Sequence, residues 1–257
     1  MTTTSITHNP ISVSGNQRLG ILVLHGFTGS PWSMRPVAEY FAHQGYAVEM
    51  PLLPGHGTQW EDMLDVTKDD WLAEVDRAYW RLRKADHPVV VIGLSMGGML
   101  AIRQSIRREV VGTVLINPFV TDPTPLLRFA FLLSRSSVTT QGITSDIAKP
   151  GVDEGGYLRV PLAATAELHR LGKETRRMLS CLTAPVLYFR STNDHVVSDE
   201  SHQFFQKTVH CPVQFIELPR SYHVATLDHD APMILEKSYE FVQAILNNSE
   251  PNQKEQA

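Results

Sequence analysis

The sequence predicts an α/β protein, with a mostly parallel central sheet flanked by helices and broken by one long insertion. Four observations carry this. Short β-like runs alternate with longer helical patterns, which is the rhythm of parallel βα units. The rhythm lapses once, between residues 120 and 180, and then resumes. The chain has 257 residues, a length that suits one large domain. Hydrophobic residues make up 42% and charged residues 19%, a globular balance that argues against overall disorder.

The first clear strand is 20–25, followed by a helical pattern from Ser33 to about Gln44, where Gly45 stops it. A strand is expected over 46–53, closed by Pro54-Gly55. The next helix spans 67–84 and places Trp71, Val75, Tyr79 and Leu82 on one apolar stripe. The Val89 strand, a helix after Ser95 and a strand over 112–119 follow. After the lapse come a strand at 185–190, a helix at 198–209, a strand at 212–218 and a last helix at 233–246. The polar tail from Asn247 is expected to fray.

The lapse divides the chain into a core of residues 1–119 and 181–257 and a cap-like insertion, 120–180. The insertion is rich in Thr, Ser, Pro and Gly, with helical islands near 126–133 and 162–171. A structureless loop of about 55–60 residues would be unusual, so this segment should have structure and a function of its own.

Residues 93–97 read Gly-Leu-Ser-Met-Gly between a β-branched run and a helical stretch. G-x-S-x-G in strand–turn–helix context describes a nucleophile elbow, which presents the Ser95 hydroxyl at the carboxyl edge of the sheet. Side chains two positions either side would clash, and Gly93 and Gly97 remove them. The bland alternative is a strand-to-helix turn with Ser95 as N-cap.

A serine hydroxyl needs a base beside it, normally a histidine oriented by a carboxylate. In this architecture the chain order is serine, acid, histidine, each on a loop after a strand. Asp194 follows the 185–190 strand and His223 follows the 212–218 strand. Asp122, after the 112–119 strand, is the alternative acid. His229 competes with His223, but its flanks Asp228 and Asp230 suggest a surface turn. Asp199 and Glu200 read as the cap and first turn of a helix, and His195 as structural. Most remaining histidines, including His43, His87, His169, His202 and His210, are expected at solvent.

Acyl transfer also needs donors for an oxyanion. The Met96 N–H, opening the helix after the serine, is one candidate. Phe27 N–H is the other, in the loop His25-Gly26-Phe27-Thr28-Gly29-Ser30. His25 is expected to support that loop through its ring, and Gly55-His56-Gly57-Thr58 is read as a shaped structural loop.

Net charge is −4, and Lys and Arg are scattered, so no nucleic-acid partner is expected. No H-E-x-x-H, cysteine cluster or Gly-rich phosphate fingerprint is present, so neither metal nor cofactor is implied. Cys181 and Cys211 read as small buried hydrophobes, with a bridge between them left open. The first residues lack the charged and apolar regions of a signal peptide, and no run of about 18 apolar residues exists. A cytoplasmic location is the expectation.

Taken together, the motifs at 25–31, 33–36, 55–58, 93–98, 194–197 and 221–228 resemble the bacterial monoacylglycerol lipase and carboxylesterase group of the α/β-hydrolases. The resemblance implies a Ser95–Asp194–His223 triad, a Phe27–Met96 oxyanion hole and a cap over the site. It implies hydrolysis of an ester such as a monoacylglycerol, and places Ile143 and Glu154 near the ester's alcohol part. A surface role for Glu154 is the alternative. The implied partner is a small lipid or ester substrate. Transient contact with a membrane or micelle through the cap also follows, although no basic amphipathic helix strengthens it. The alternative activity is a general short- or medium-chain carboxylesterase, followed by a thioesterase or aryl-ester hydrolase. From another class comes a non-catalytic binding protein on the same fold.

Overall fold

The computed structural model describes residues 6–121, 138–142 and 144–248. Asp122, Ile143 and the expected helical island at 126–133 lie outside these. The described strands are β1 (Ile11–Val13), β2 (Gly20–Leu24), β3 (Ala47–Met50), β4 (Val89–Leu94), β5 (Val110–Ile116), β6 (Thr139–Gln141), β7 (Arg159–Pro161), β8 (Val186–Ser191) and β9 (Val213–Leu218). The described helices are α1 (Pro31–His43), α2 (Lys68–Lys84), α3 (Met96–Arg107), α4 (Leu162–Met178), α5 (Asp199–Thr208) and α6 (Ala231–Asn248).

Seven strands form one sheet in the order β1-β3-β2-β4-β5-β8-β9, with β1 antiparallel to β3 and the remaining pairings parallel. The chain therefore runs outward from β2 to β3 and returns to β4 on the other side of β2. This reversal opens a crevice at the carboxyl ends of β2 and β4, where open α/β sheets place ligands. The loops leaving β2 and β4 carry Gly26-Phe27 and Ser95.

Side chains alternate across the sheet, and both faces are covered. Ile21, Val23, Val90 and Ile92 pack with Met34 and Phe41 of α1 and Val242 and Ile245 of α6. Leu22, Leu24, Val89 and Val91 face the opposite way and pack with Trp71, Val75 and Tyr79 of α2 and Met99 and Leu100 of α3. The stripe read from residues 67–84 is thus buried, and Thr67 and Asp70 close a reciprocal capping box at its start.

Element ends move for identifiable reasons. α1 begins at Pro31 rather than Ser33 because Ser30 caps it and proline fits the first helical position. β3 ends at Met50, since Pro51 has no N–H to extend the ladder. β5 ends at Ile116 because Asn117 turns to φ 43°.

Within 120–180, β6 and β7 pair antiparallel. α4 buries Ala164 and Leu171 in the same cluster as Trp71 and Met99. Cys181 is exposed, contrary to the buried reading, because it sits in a 3-10 turn after α4; it and Cys211 are free thiols. Among the described residues no helix is long and apolar enough to cross a membrane.

Candidate functional site

Ser95 lies between β4 and α3 with φ 55° and ψ −117°, a backbone conformation that L-residues rarely adopt. Its peptide is pinned from both sides. Ser95 N–H donates to Ile116 O at 3.0 Å, and Ser95 O accepts Phe119 N–H at 3.2 Å. A Cβ on Gly93 would lie 2.2 Å from Gly97 O, and one on Gly97 would lie 2.2 Å from Leu24 O. Both distances are far inside van der Waals contact, so the turn admits only glycine at these positions. Although Ser95 occupies the cap position of α3, its side chain makes no capping hydrogen bond. The hydroxyl is not spent on the helix end, which removes the N-cap reading.

His223 is 6% exposed, and its Nδ1 faces Asp194 Oδ2 at 2.9 Å. The other Asp194 oxygen accepts the N–H groups of Val196 and Val197, each at 2.8 Å. Burial works to lower the His223 pKa. The Asp194 carboxylate outweighs it, with smaller help from Glu154 and Asp146, and holds the imidazole above its ordinary value. Burial likewise works to raise Asp194, but the His223 charge and the hydrogen bonds it receives hold it below the usual carboxylate range. Each partner thus favours the charged form of the other.

The loop after β2 is held by His25. Leu53 N–H donates to Nε2 at 3.1 Å, so the proton sits on Nδ1, which donates to Gly26 O at 2.9 Å. Full burial, with the neighbouring His56 next, pushes the His25 pKa down to about 3, so the ring stays neutral. Carbonyl and N–H of a trans peptide point in opposite directions, so fixing Gly26 O also fixes the aim of Phe27 N–H. Among the described residues, no loop or cap hydrogen bond uses the Phe27 or Met96 N–H. His56 is buried, donates to Pro54 O at 2.9 Å and meets the rings of His25, Phe27 and Trp71 edge-on.

Ser95, Met96, Phe27, Glu154 and His223 line one cavity of about 240 Å³, with Phe119, Val160, Leu168 and Val196 among its apolar lining. Asp194 stands behind His223, on the side away from the second ring nitrogen. Glu154 is 8% exposed, which removes the surface reading. Its Oε1 accepts Ser145 N–H at 2.7 Å, and burial holds its carboxyl above the usual range.

Among the competing residues, His229 lies outside the cavity, and Asp230 is tied up by Arg220 and Ser221. Ser198, not Asp199, takes the cap position of α5, with Asp199 and Glu200 in its first turn. His169, expected at solvent, lines the cavity instead, because α4 turns that face inward. His202 packs edge-on against Tyr188 and is half-buried. Among the described residues no group of three or more His, Cys, Asp or Glu could hold a metal.

Three further residues hold the base loop: Asp228, at the end of the 221–228 motif, and Asn117 and Asp146, which lie in no motif. Asn117 Nδ2 donates to His223 O at 2.8 Å, while its Oδ1 accepts Ser191 N–H at 2.7 Å. Asp228, 2% exposed, accepts N–H groups from Tyr222, Ala148 and Lys149. Asp146 Oδ2 accepts His223 N–H at 3.1 Å and His195 N–H at 3.2 Å.

Comparison with known proteins agrees with the architecture. Residues 21–234 match the model of the alpha/beta hydrolase family. The chain is 40% identical over 230 residues to a thermostable monoacylglycerol lipase of Bacillus sp. (strain H-257), covering 88% of this chain and 91% of that protein. It is 22% identical to a carboxylesterase of Bacillus subtilis (strain 168), over 93% of this chain and 98% of the relative. A solved structure from work on LipS and LipT, two metagenome-derived lipolytic enzymes, superposes with a TM-score of 0.88 at 35% identity, covering 92% of this chain and 98% of the other. The sheet order, the elbow at Ser95 and this match over most of the sequence place the chain in the alpha/beta hydrolase family.

Proposed function

We propose that the protein is a serine hydrolase of carboxylic esters, cleaving monoacylglycerols to glycerol and fatty acid. The observation that carries this is the meeting, in one partly apolar cavity, of an uncapped Ser95 hydroxyl and a buried His223 held on Nδ1 by Asp194. The 40% identity to a monoacylglycerol lipase supports the choice of ester.

The chemistry follows from which atoms are free. Asp194 occupies Nδ1, which leaves Nε2 of His223 to take the Ser95 proton as the serine oxygen attacks the ester carbonyl. The Phe27 and Met96 N–H groups receive the oxyanion, aided by the amino end of α3. His223 gives its proton to the departing alcohol and then draws one from water, which hydrolyses the acyl-enzyme. Asp194 holds the imidazole in one tautomer and stabilises its cation.

The apolar lining takes the acyl chain. Glu154 takes an alcohol hydroxyl: its Oε1 is committed to Ser145, and Oε2 has no partner among the described residues. The described part of the insertion around β6 and β7 serves as a cap, and the exposed Leu158 and Val138 beside these strands offer transient contact to a membrane or micelle. Free thiols at Cys181 and Cys211 support a cytoplasmic setting.

The test pairs Ser95→Ala with a substrate series. A fluorophosphonate should label Ser95 in the native protein, and the folded Ala variant should neither be labelled nor turn over ester. Near-native turnover by Ser95→Ala would sink the mechanism. Faster cleavage of acetyl and butyryl nitrophenyl esters than of lauroyl glycerol would replace the lipase with a short-chain carboxylesterase.

A further inference from the structure

Asp146 belongs to the segment between β6 and β7, yet it touches both loops that carry the His223–Asp194 pair. Its Oδ2 accepts the backbone N–H of His223 at 3.1 Å and that of His195, the residue after Asp194, at 3.2 Å. Its Oδ1 meets His195 Nδ1 at 2.8 Å, and its own carbonyl accepts Val224 N–H at 3.1 Å. The His195 ring in turn packs edge-on against Tyr222, with centroids 4.6 Å apart.

One carboxylate oxygen thus fixes the separation of two loops that are distant in sequence. We propose that Asp146 is a positioning residue, a clamp from the insertion that sets the His223–Asp194 hydrogen bond by holding the backbone of both loops. This rests on His223 acting as the base. The Asn117 amide already anchors His223 O, so Asp146 completes the restraint by holding the N–H of the same residue.

The experiment compares Asp146→Ala, Asp146→Asn and His223→Ala in the full chain, measuring kcat, KM, pH profile and the downfield proton resonance of His223 Nδ1–H. An asparagine oxygen can still accept both N–H groups, and its amide can donate to His195 Nδ1. Asp146→Ala should lower kcat on the order of 100-fold with little change in KM, the cost of misplacing a reacting group. It should also broaden or abolish the resonance. Asp146→Asn should restore most of the lost kcat and retain the resonance. Its acidic limb should fall to lower pH, because a negative charge near His223 has gone.

Native kcat in Asp146→Ala overturns the clamp, as does a raised KM at unchanged kcat, which would make Asp146 a substrate contact. If the Ala variant does not fold, the Asn variant decides: loss of its resonance overturns the clamp. Activity surviving in His223→Ala overturns the base assignment itself. An inactive His223→Ala beside a native-like Asp146→Ala overturns only the clamp.

Discussion

Asp194 and His223 meet at 2.9 Å, with each side chain about one-twelfth exposed and the carboxylate's second oxygen already occupied by two backbone N–H groups. The backbone donors fix the carboxylate, and the carboxylate fixes the ring. Asp194→Asn would keep the shape and the contacts from Val196 and Val197. It would remove the charge that favours the imidazolium and present an amide donor to Nδ1, forcing the other tautomer. We expect a kcat loss on the order of 10⁴ in a folded protein. The check is stopped-flow or steady-state hydrolysis beside near-ultraviolet circular dichroism. A loss under tenfold would mean that Asp194 is not the orienting acid.

The pH dependence carries a sign. The base works only when neutral, so activity is present above the His223 pKa and lost as pH falls through it. Carboxylates outweigh burial and raise that pKa, so the acidic limb of kcat/KM should lie above the ordinary imidazole value. Glu154 contributes to the rise after Asp194. Glu154→Gln should therefore move the limb to lower pH and extend activity into acid. If Glu154 also receives the alcohol, KM for monoacylglycerol should rise more than KM for a nitrophenyl ester of the same acyl chain. An unmoved limb would remove Glu154 from the electrostatics of the base.

Much of this site is legible in sequence because its chemistry demands residues at short spacing. Gly93, Ser95 and Gly97 form one turn, and the clashes that a Cβ would make arise within and beside it. Asp194 and His223 are readable because each directly follows a strand in the required order. His25 is readable as structural for the same local reason, and its ring bonds the next residue's carbonyl.

What is not legible depends on distance along the chain. Asp146 contacts residues 49 and 77 positions away, and Asn117 reaches 106 positions to His223. No local pattern marks either. β1, β6 and β7 are three-residue strands at edges, too short for an alternation to stand out. His169 looks exposed in sequence because a helical histidine gives no sign of the cavity that its face lines.

Ser95 offers a last prediction, in which function and stability oppose each other. Its φ of 55° with ψ of −117° strains any residue with a Cβ, at a cost of roughly 1–3 kcal/mol. Glycine escapes that strain but loses about 0.5–1 kcal/mol through the greater freedom of its unfolded chain. The strain term is the larger, so Ser95→Gly should melt above Ser95→Ala, by roughly 2–4 °C for each kcal/mol by which the strain exceeds the glycine cost. Both variants lack the nucleophile and should be inactive, so the comparison isolates the backbone. Scanning calorimetry of the two proteins decides it. A lower melting temperature for the Gly variant would mean that the hydrogen bonds to Ile116 and from Phe119 absorb the strain, and that the elbow stores none.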